Sequence, residues 1–386
     1  MVYSAEEIDD LMESAQEDEN EADRPEDIKP YLLKSKAGGA SAGGAGGEGE
    51  DDEDDDADDN SEVTNWGVRQ AAAASLDHVA MMAGNDLLPH VLPLIQQCLE
   101  QDGPEQWPLR ESGILVIGAL SDGCGGIVDH LPELFPFILT MLKEPIPPVR
   151  EIAAWTLGQY SGWVVHTSQE VLENCFNPLR VGLLDLICDK NKKVQKSACA
   201  AFATFCDEAG ELMAPYLDET LPQLMYAYGK FQEKNMLALY DAISTLCAGV
   251  GEALNEDRHA EVLLPPLIER WNAFADDDRR LLPIFECLQD IGKAMGMGFQ
   301  SLAPNIFERC VRIIENVVIM KAAAEHAEEV VDPGEDEGNE RNGEERRRGK
   351  EPTMYLIPTL SYTYTSPCTL TLSPPPHFFP PLPPSP

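Results

Sequence analysis

Four dipeptides recur along this chain at a nearly fixed interval: Val68-Arg69, Leu109-Arg110, Val149-Arg150 and Val194-Gln195, each opening a run of small, apolar, helix-prone residues. The steps are 41, 40 and 45 residues. A chain that repeats itself at this spacing does not close one globular core. Each copy is a supersecondary unit whose apolar face is covered only by its neighbours.

Every copy follows the same order. An apolar helix comes first, with proline in or near its opening turn, as in LLPHVLPLIQQCLEQ (87–101), LPELFPFILTMLKE (131–144) and APYLDETLPQLMYAYGKF (214–231). There a proline surrenders an amide that has no intrahelical partner. After a short polar break comes a second helix, such as VREIAAWTLGQYSGWV (149–164) or VQKSACAAFATFCDEAG (194–210). Its apolar residues fall three and four apart, as at Val149, Ile152, Ala153, Leu157 and Tyr160, and define one buried stripe.

Helical pairs at this period, with no strand signals between them, predict an all-α, HEAT-repeat α-solenoid, a superhelical stack of antiparallel helix pairs. The frame places an unpaired second helix at 63–83, five pairs after it, and an unpaired first helix from 299 to about 320. Helix 63–83 lacks the polar face of a capping repeat, so the array is expected to be cut from a longer solenoid. Three regions follow: 1–62, 63–320 and 321–386.

The flanking regions differ in substance. Residues 1–62 run through a glycine-alanine spacer (Ala37 to Gly47) into the acidic block Glu48 to Asp59, where like charges repel and no core can form, so disorder is expected. From Lys321 a charged stretch leads into a Ser/Thr/Pro tract ending Pro383-Pro384-Ser385-Pro386, which is also expected to be disordered. The abrupt change points to a separate origin for this tail, a mispredicted or alternative exon.

Composition excludes several function classes. A formal net charge of −40 disfavours direct nucleic-acid binding, which needs a basic stripe to displace counterions from phosphate. The start MVYSAEEIDDL is no secretory signal, and no apolar run is expected to reach membrane-spanning length. The ten cysteines show no metal-ligand spacing. Cys98, Cys175, Cys188, Cys199, Cys247, Cys287 and Cys310 read as reduced core residues of a cytosolic or nuclear protein.

No phosphate loop, nucleophile elbow or His-Glu-x-x-His pair is present, and the acidic block lacks the ligand alternation of a calcium loop. His78, His90 and His259 each stand alone on a helix. Gly123-Cys124-Gly125-Gly126 reads as helix termination between repeats. Neither an enzyme nor a cofactor is expected.

A solenoid offers surface, and second helices usually line its concave side. Aligning the repeat frames brings Ala74, Leu115, Trp155 and Ala200 to one equivalent position. A tryptophan among small neighbours makes a platform for an extended peptide, but a core-filling tryptophan satisfies the pattern equally well. Asp77, Asp207 and Asp241 on the same helices suit a basic peptide, although a solvated helix face is the commoner fate of a carboxylate.

Over residues 1–318 the chain resembles the karyopherin-β2 (transportin) family of nuclear import receptors. The matching stretches are MVYS, the acid-rich insert, Trp66 to Asp77, LLPHVLPL, ESGILVIGAL, LPEL, WTLGQYSGWVV, KKVQKSACAAFAT, KNMLALYDAISTL and LLPPLIERWN, in order and in frame. The resemblance implies binding of extended, basic nuclear localisation signals that end in an arginine, a spacer and Pro-Tyr. It assigns the Pro-Tyr patch to Ala73, Ala74, Leu115, Ile152 and Trp155, with Asp77 beside it. Thr204, Asp207 and Asp241 would receive the arginine and the peptide backbone.

The family's partners are cargo proteins, RanGTP and nucleoporins, and its members shuttle between cytoplasm and nucleus. Residues 1–62 resemble the acidic loop through which RanGTP displaces cargo, while the main Ran-binding arch is absent from this stretch. Gln159 stands where an arginine stacking on the cargo tyrosine is expected, and Ala248 where the family can carry an acid. The alternatives are a HEAT-repeat assembly scaffold or a non-functional truncated gene product.

Overall fold

The computed structural model describes residues 2–3, 8, 11–12, 22–23 and 68–329, with side chains over 71–320 of the last stretch. The helices there are α1 (Val68–Ala83), α2 (Leu88–Leu99), α3 (Trp107–Ala119), α4 (Leu131–Met141), α5 (Pro147–Gln159), α6 (Ser161–His166), α7 (Gln169–Ile187), α8 (Lys192–Ala209), α9 (Leu217–Lys230), α10 (Glu233–Val250), α11 (Asp257–Ala273), α12 (Leu281–Met295) and α13 (Ala303–Glu329). No strand occurs among the described residues.

Contacts sort them into two layers. Each of α1, α3, α5, α8, α10 and α12 packs on the next, and α4, α7, α9 and α11 do the same beside them. The layers are joined by the pairs α2/α3, α4/α5, α7/α8, α9/α10 and α11/α12. This is the expected HEAT-type stack. Phe135, Leu179, Phe202, Phe205, Leu224 and Ile243 are buried in its core. The small residues of the second helices permit close approach: a Cβ at Gly158 on α5 would lie 3.0 Å from Ala201 Cα on α8.

The recurring arginine is the tie that generates the interval. Arg110 donates to the carbonyls of Gln101 and Gly103, closing the turn between α2 and α3, and reaches Glu144 in the next repeat at 2.7 Å. Arg150 does the same one repeat on, donating to Glu144 O and Pro145 O and forking onto both carboxylate oxygens of Asp189 at 2.8 and 2.9 Å. Gln195 stands in place of arginine at the fourth position; its amide donates to Asp189 O, and its side-chain oxygen accepts from Asn235 in the following repeat. Arg309, on the first-layer helix α13 and outside that frame, makes similar bonds to Trp271 O, Phe274 O and Asp276. Each guanidinium satisfies turn carbonyls and pins two repeats together, a task its planar fork suits better than an ammonium.

Helix ends follow from local chemistry. α8, α10 and α12 each stop at a glycine with positive φ (Gly210 51°, Gly251 53°, Gly296 54°), after which a 3-10 turn leads into the next first-layer helix. A side chain there would be strained. Pro89 and Pro132 open α2 and α4 as the pattern predicts, but Pro93, Pro136 and Pro222 lie inside α2, α4 and α9.

Several boundaries differ from the sequence reading. The segment 149–164 is broken at Tyr160, which separates α5 from α6, and the last helix continues past 320 to Glu329. Gly123 is more than a terminator: a Cβ there would lie 2.3 Å from the Ala80 carbonyl carbon, so α1 and this loop meet backbone to backbone. His259 is buried between Ala253 O and Asp218, a structural joint. The stretch Glu233–Asn255 is long and apolar enough to cross a membrane by length and composition, which corrects the expectation that no run reaches that length. Half of that window is buried in the array, because α10 packs between α8 and α12.

The disorder expected of 1–62 and 321–386 falls almost wholly outside the described residues. Four of the amino-terminal residues that are described touch the array. The Tyr3 ring lies 5.8 Å from that of Trp107, Ile8 and Met12 pack against the core, and Asp23 bonds Lys192.

Candidate peptide-binding surface

Helix α5 starts from an extended Ile146 and two prolines that preset its first turn. Ala153, Ala154, Thr156, Leu157, Gly158 and Tyr160 are buried. Ile152 and Trp155 are partly exposed, and Gln159 is exposed. Positions 152, 155 and 159 are three and four residues apart, so they form a single open stripe on the helix.

Trp155 is held there from behind. A Cβ at Gly118 on α3 would lie 2.2 Å from Trp155 Cζ3, which means the indole rests directly on glycine backbone. Thr156 Oγ1 donates to Ile114 O at 3.1 Å and the Tyr160 hydroxyl donates to Ile117 O at 2.6 Å, both buried. These bonds fix the register of α5 on α3 around Gly118. Burial pushes the Tyr160 hydroxyl well above its usual range, so it remains a neutral donor at all ordinary pH.

The other expected residues lie on the same helix layer. Ala73, Ala74 and Asp77 are partly exposed on α1, and Leu115 on α3 is buried at 7% exposure. Thr204 and Asp207 are exposed on α8, and Asp241 on α10. The Thr204 hydroxyl donates to Ala200 O at 3.1 Å, which leaves it as an acceptor. The position shared by Ala74, Leu115, Trp155 and Ala200 is therefore not uniform: Leu115 is covered, Ala200 is open, and the other two lie between. α1, α3, α5, α8 and α10 pack in succession, so these residues occupy adjacent members of one layer.

Beneath the acidic end lie thiols that are not nucleophiles. Desolvation, then the Asp207 carboxylate, pushes Cys206 well above its usual pKa, and desolvation dominates again at Cys199 and Cys247. A buried neutral thiol packs as a small apolar group.

Sequence reasoning passed over two features. Gly118, Thr156 and Tyr160 form the seat of Trp155; the signal was the small residue in ESGILVIGAL one repeat before the tryptophan. A group of lysines, Lys192, Lys193 and Lys196 on α8 with Lys230 and Lys234 nearby, interrupts the acidic character of the layer. The run KNKKVQK was visible as a basic island in an acidic chain.

Comparison with known proteins supports the architecture. A HEAT-like repeat family matches residues 107–160. Transportin-1 from Homo sapiens is 40% identical over 319 residues, covering 82% of this chain and 35% of its own. Importin subunit beta-2 from Schizosaccharomyces pombe is 40% identical over 274 residues, covering 70% and 30%. The crystal structure of Kap121p bound to Pho4p superposes with a TM-score of 0.57 at 21% identity, over 68% of this chain and 25% of that one, a likeness of fold. The chain spans about a third of the length of the curated relatives it matches. Over 70% to 82% of its length this chain is a homologue of importin beta-2 and transportin-1, and its helical array has the fold of the Kap121p structures.

Proposed function

We propose that the second-helix layer binds extended, basic nuclear localisation signals of the Pro-Tyr type, and that the chain serves as a non-catalytic receptor in Ran-dependent nuclear import, shuttling between cytoplasm and nucleus. The observation that carries this reading is Trp155, seated on Gly118 with part of its ring open on a stripe that also holds Ile152 and Gln159. A scaffold has no need of a partly exposed tryptophan on this layer. An extended peptide has little apolar area and many unpaired backbone groups, so an aromatic anchor with carboxylates further along supplies both hold and charge steering.

In this reading Trp155, Ile152, Ala73, Ala74 and Leu115 form the Pro-Tyr patch, Leu115 from beneath. Asp77 and Gln159 flank it, while Thr204, Asp207 and Asp241 receive the arginine and backbone. Cargo proteins are the partners, with nucleoporins and RanGTP as those of the full receptor. Fluorescence anisotropy with a basic peptide ending in Pro-Tyr, against the same peptide ending in Ala-Ala, tests the site. Saturable binding lost in the Ala-Ala control supports it, and equal binding of both peptides rejects the Pro-Tyr patch.

A further inference from the structure

Several joints between neighbouring helices of the array are closed by guanidinium groups, as at Arg110, Arg150, Arg180 and Arg309, and these keep their charge at every ordinary pH. The joint between α9 and α11 is made differently. His259, in the first turn of α11, is enclosed, with 5% side-chain exposure. Its Nδ1 lies 2.9 Å from Ala253 O in the 3-10 turn Gly251–Asn255, and its Nε2 lies 3.0 Å from Asp218 Oδ1 in the first turn of α9.

A carbonyl and a carboxylate can only accept. A neutral imidazole carries one N–H, so it leaves the other ring nitrogen with its lone pair facing an acceptor in an enclosed site. The imidazolium carries two N–H groups and satisfies both partners. Around the ring, α9 presents Asp218, and Oδ2 of that carboxylate also accepts from Arg258 Nη1 at 2.5 Å, while Arg258 Nε donates to Glu256 at 2.8 Å. The Arg258 contact is more than half exposed on both sides and is screened by solvent, so Asp218 keeps charge to offer the ring. In the 3-10 turn Glu252 is exposed, as is Asp257 on α11. Glu219, the next residue of α9, turns back to Arg180 on α7 at 2.6 Å. Consecutive residues thus tie α9 in opposite directions, backwards to an arginine and forwards to a histidine.

We propose that His259 is a proton-operated tie between α9 and α11, closed when the ring carries both N–H groups and open at one end when it carries one. Histidine is the side chain whose charge ordinarily changes between about pH 5 and 8, so this joint tightens on acidification within that range while the arginine ties do not respond. The direction follows from linkage: the folded joint stabilises the protonated ring, so its contribution is gained as pH falls and lost as pH rises. α9 and α11 pack against α10 and α12, and α10 carries Asp241, so the tie stands behind the acidic end of the second-helix layer. It holds whether or not that layer takes Pro-Tyr peptides.

Magnetic resonance and amide exchange on the full chain test the tie. With the histidine rings labelled in nitrogen-15, the His259 signals are those missing from His259→Gln. They should show two N–H nitrogens at the acid end of the range and one bare nitrogen at the alkaline end. Exchange at the start of α11, where the His259 and Ala260 amides donate to Glu256 O, should slow severalfold on acidification relative to α5, whose tie is Arg150. In His259→Gln, which offers one donor and one acceptor at every pH, that response should vanish. Asp218→Asn keeps an acceptor and removes the charge, so the second N–H should appear only at lower pH. One bare nitrogen across the whole range would overturn the proposal, as would an α11 response that survives in His259→Gln or a second N–H that Asp218→Asn leaves in place. The exchange measurement on the wild type needs no variant to fold, and a flat response at α11 there overturns the tie by itself.

Discussion

The Trp155 indole lies against Gly118 so closely that a single added carbon at Gly118 would come within 2.2 Å of its ring. The glycine is thus part of the tryptophan's position. Gly118→Ala is expected to tilt the indole off its seat and to cost about 1–3 kcal/mol of stability through overpacking. Peptide affinity should fall as well. In the double variant with Trp155→Ala, the lost stability should return only in part, because the added carbon would still lie 2.8 Å from Thr156 Oγ1, while binding stays weak because the platform is gone. Urea unfolding and anisotropy on the three variants check this.

Trp155→Ala alone should weaken binding of a basic Pro-Tyr peptide by about 2 kcal/mol, the scale of an interface hot spot. That corresponds to roughly 30-fold in Kd. Trp155 is partly exposed and the buried stripe of α5 is carried by its neighbours, so far-UV circular dichroism should change little. Unaltered affinity in a folded variant would remove Trp155 from the site.

Asp207→Asn and Asp241→Asn should act differently from Trp155→Ala. Both carboxylates are exposed, so solvent screens the pair each would make with the cargo arginine in the proposed site, and most of the effect should be steering: the association rate should fall and the salt dependence of binding should flatten, with a smaller change in dissociation rate. Stopped-flow measurement over a salt series distinguishes this from loss of an anchor, which would raise the dissociation rate at every ionic strength.

Arg150 bridges two repeats through the largely enclosed fork to Asp189. Arg150→Ala leaves that carboxylate without its counter-charge and takes the guanidinium from two turn carbonyls, and should destabilise the array by about 3 kcal/mol. Arg150→Lys should recover little, since a single ammonium cannot reproduce the fork. Chemical denaturation of the two variants is the measurement, and full recovery by lysine would contradict the geometric argument.

Acid should loosen the joint between α11 and α13. Hydrogen bonds from Arg312 and then Arg309 hold the Asp276 carboxyl below the usual carboxylate range. A depressed folded-state pKa contributes stability that is fully present above the unfolded value and is lost as pH falls through the folded one. The window is therefore roughly pH 4 and below. Protection of the α13 amides should fall there in the wild type. Asp276→Asn should show that weakened protection at neutral pH and a flatter acid response.

What the sequence determined by itself is the layer structure and its period. Val-Arg at a regular interval, small residues three and four apart, and the glycines that follow α8, α10 and α12 are local signals, and each acts within a turn or between adjacent repeats. Trp155, Asp207 and Asp241 were legible as candidates because their frame positions place them on the second helices. Whether Trp155 was core or surface was not legible, since that depends on a residue one repeat away: Gly118 leaves room for the indole, and Thr156 and Tyr160 lock the register. Leu115, at the equivalent frame position, is buried. Periodicity assigns a residue to a stripe but not to a depth within it. Asp23 marks the limit most clearly. In sequence it is one acid in a strongly acidic segment, and only the fold brings it to Lys192 and the α10 amino terminus, because a pairing 169 residues apart leaves no local pattern to read.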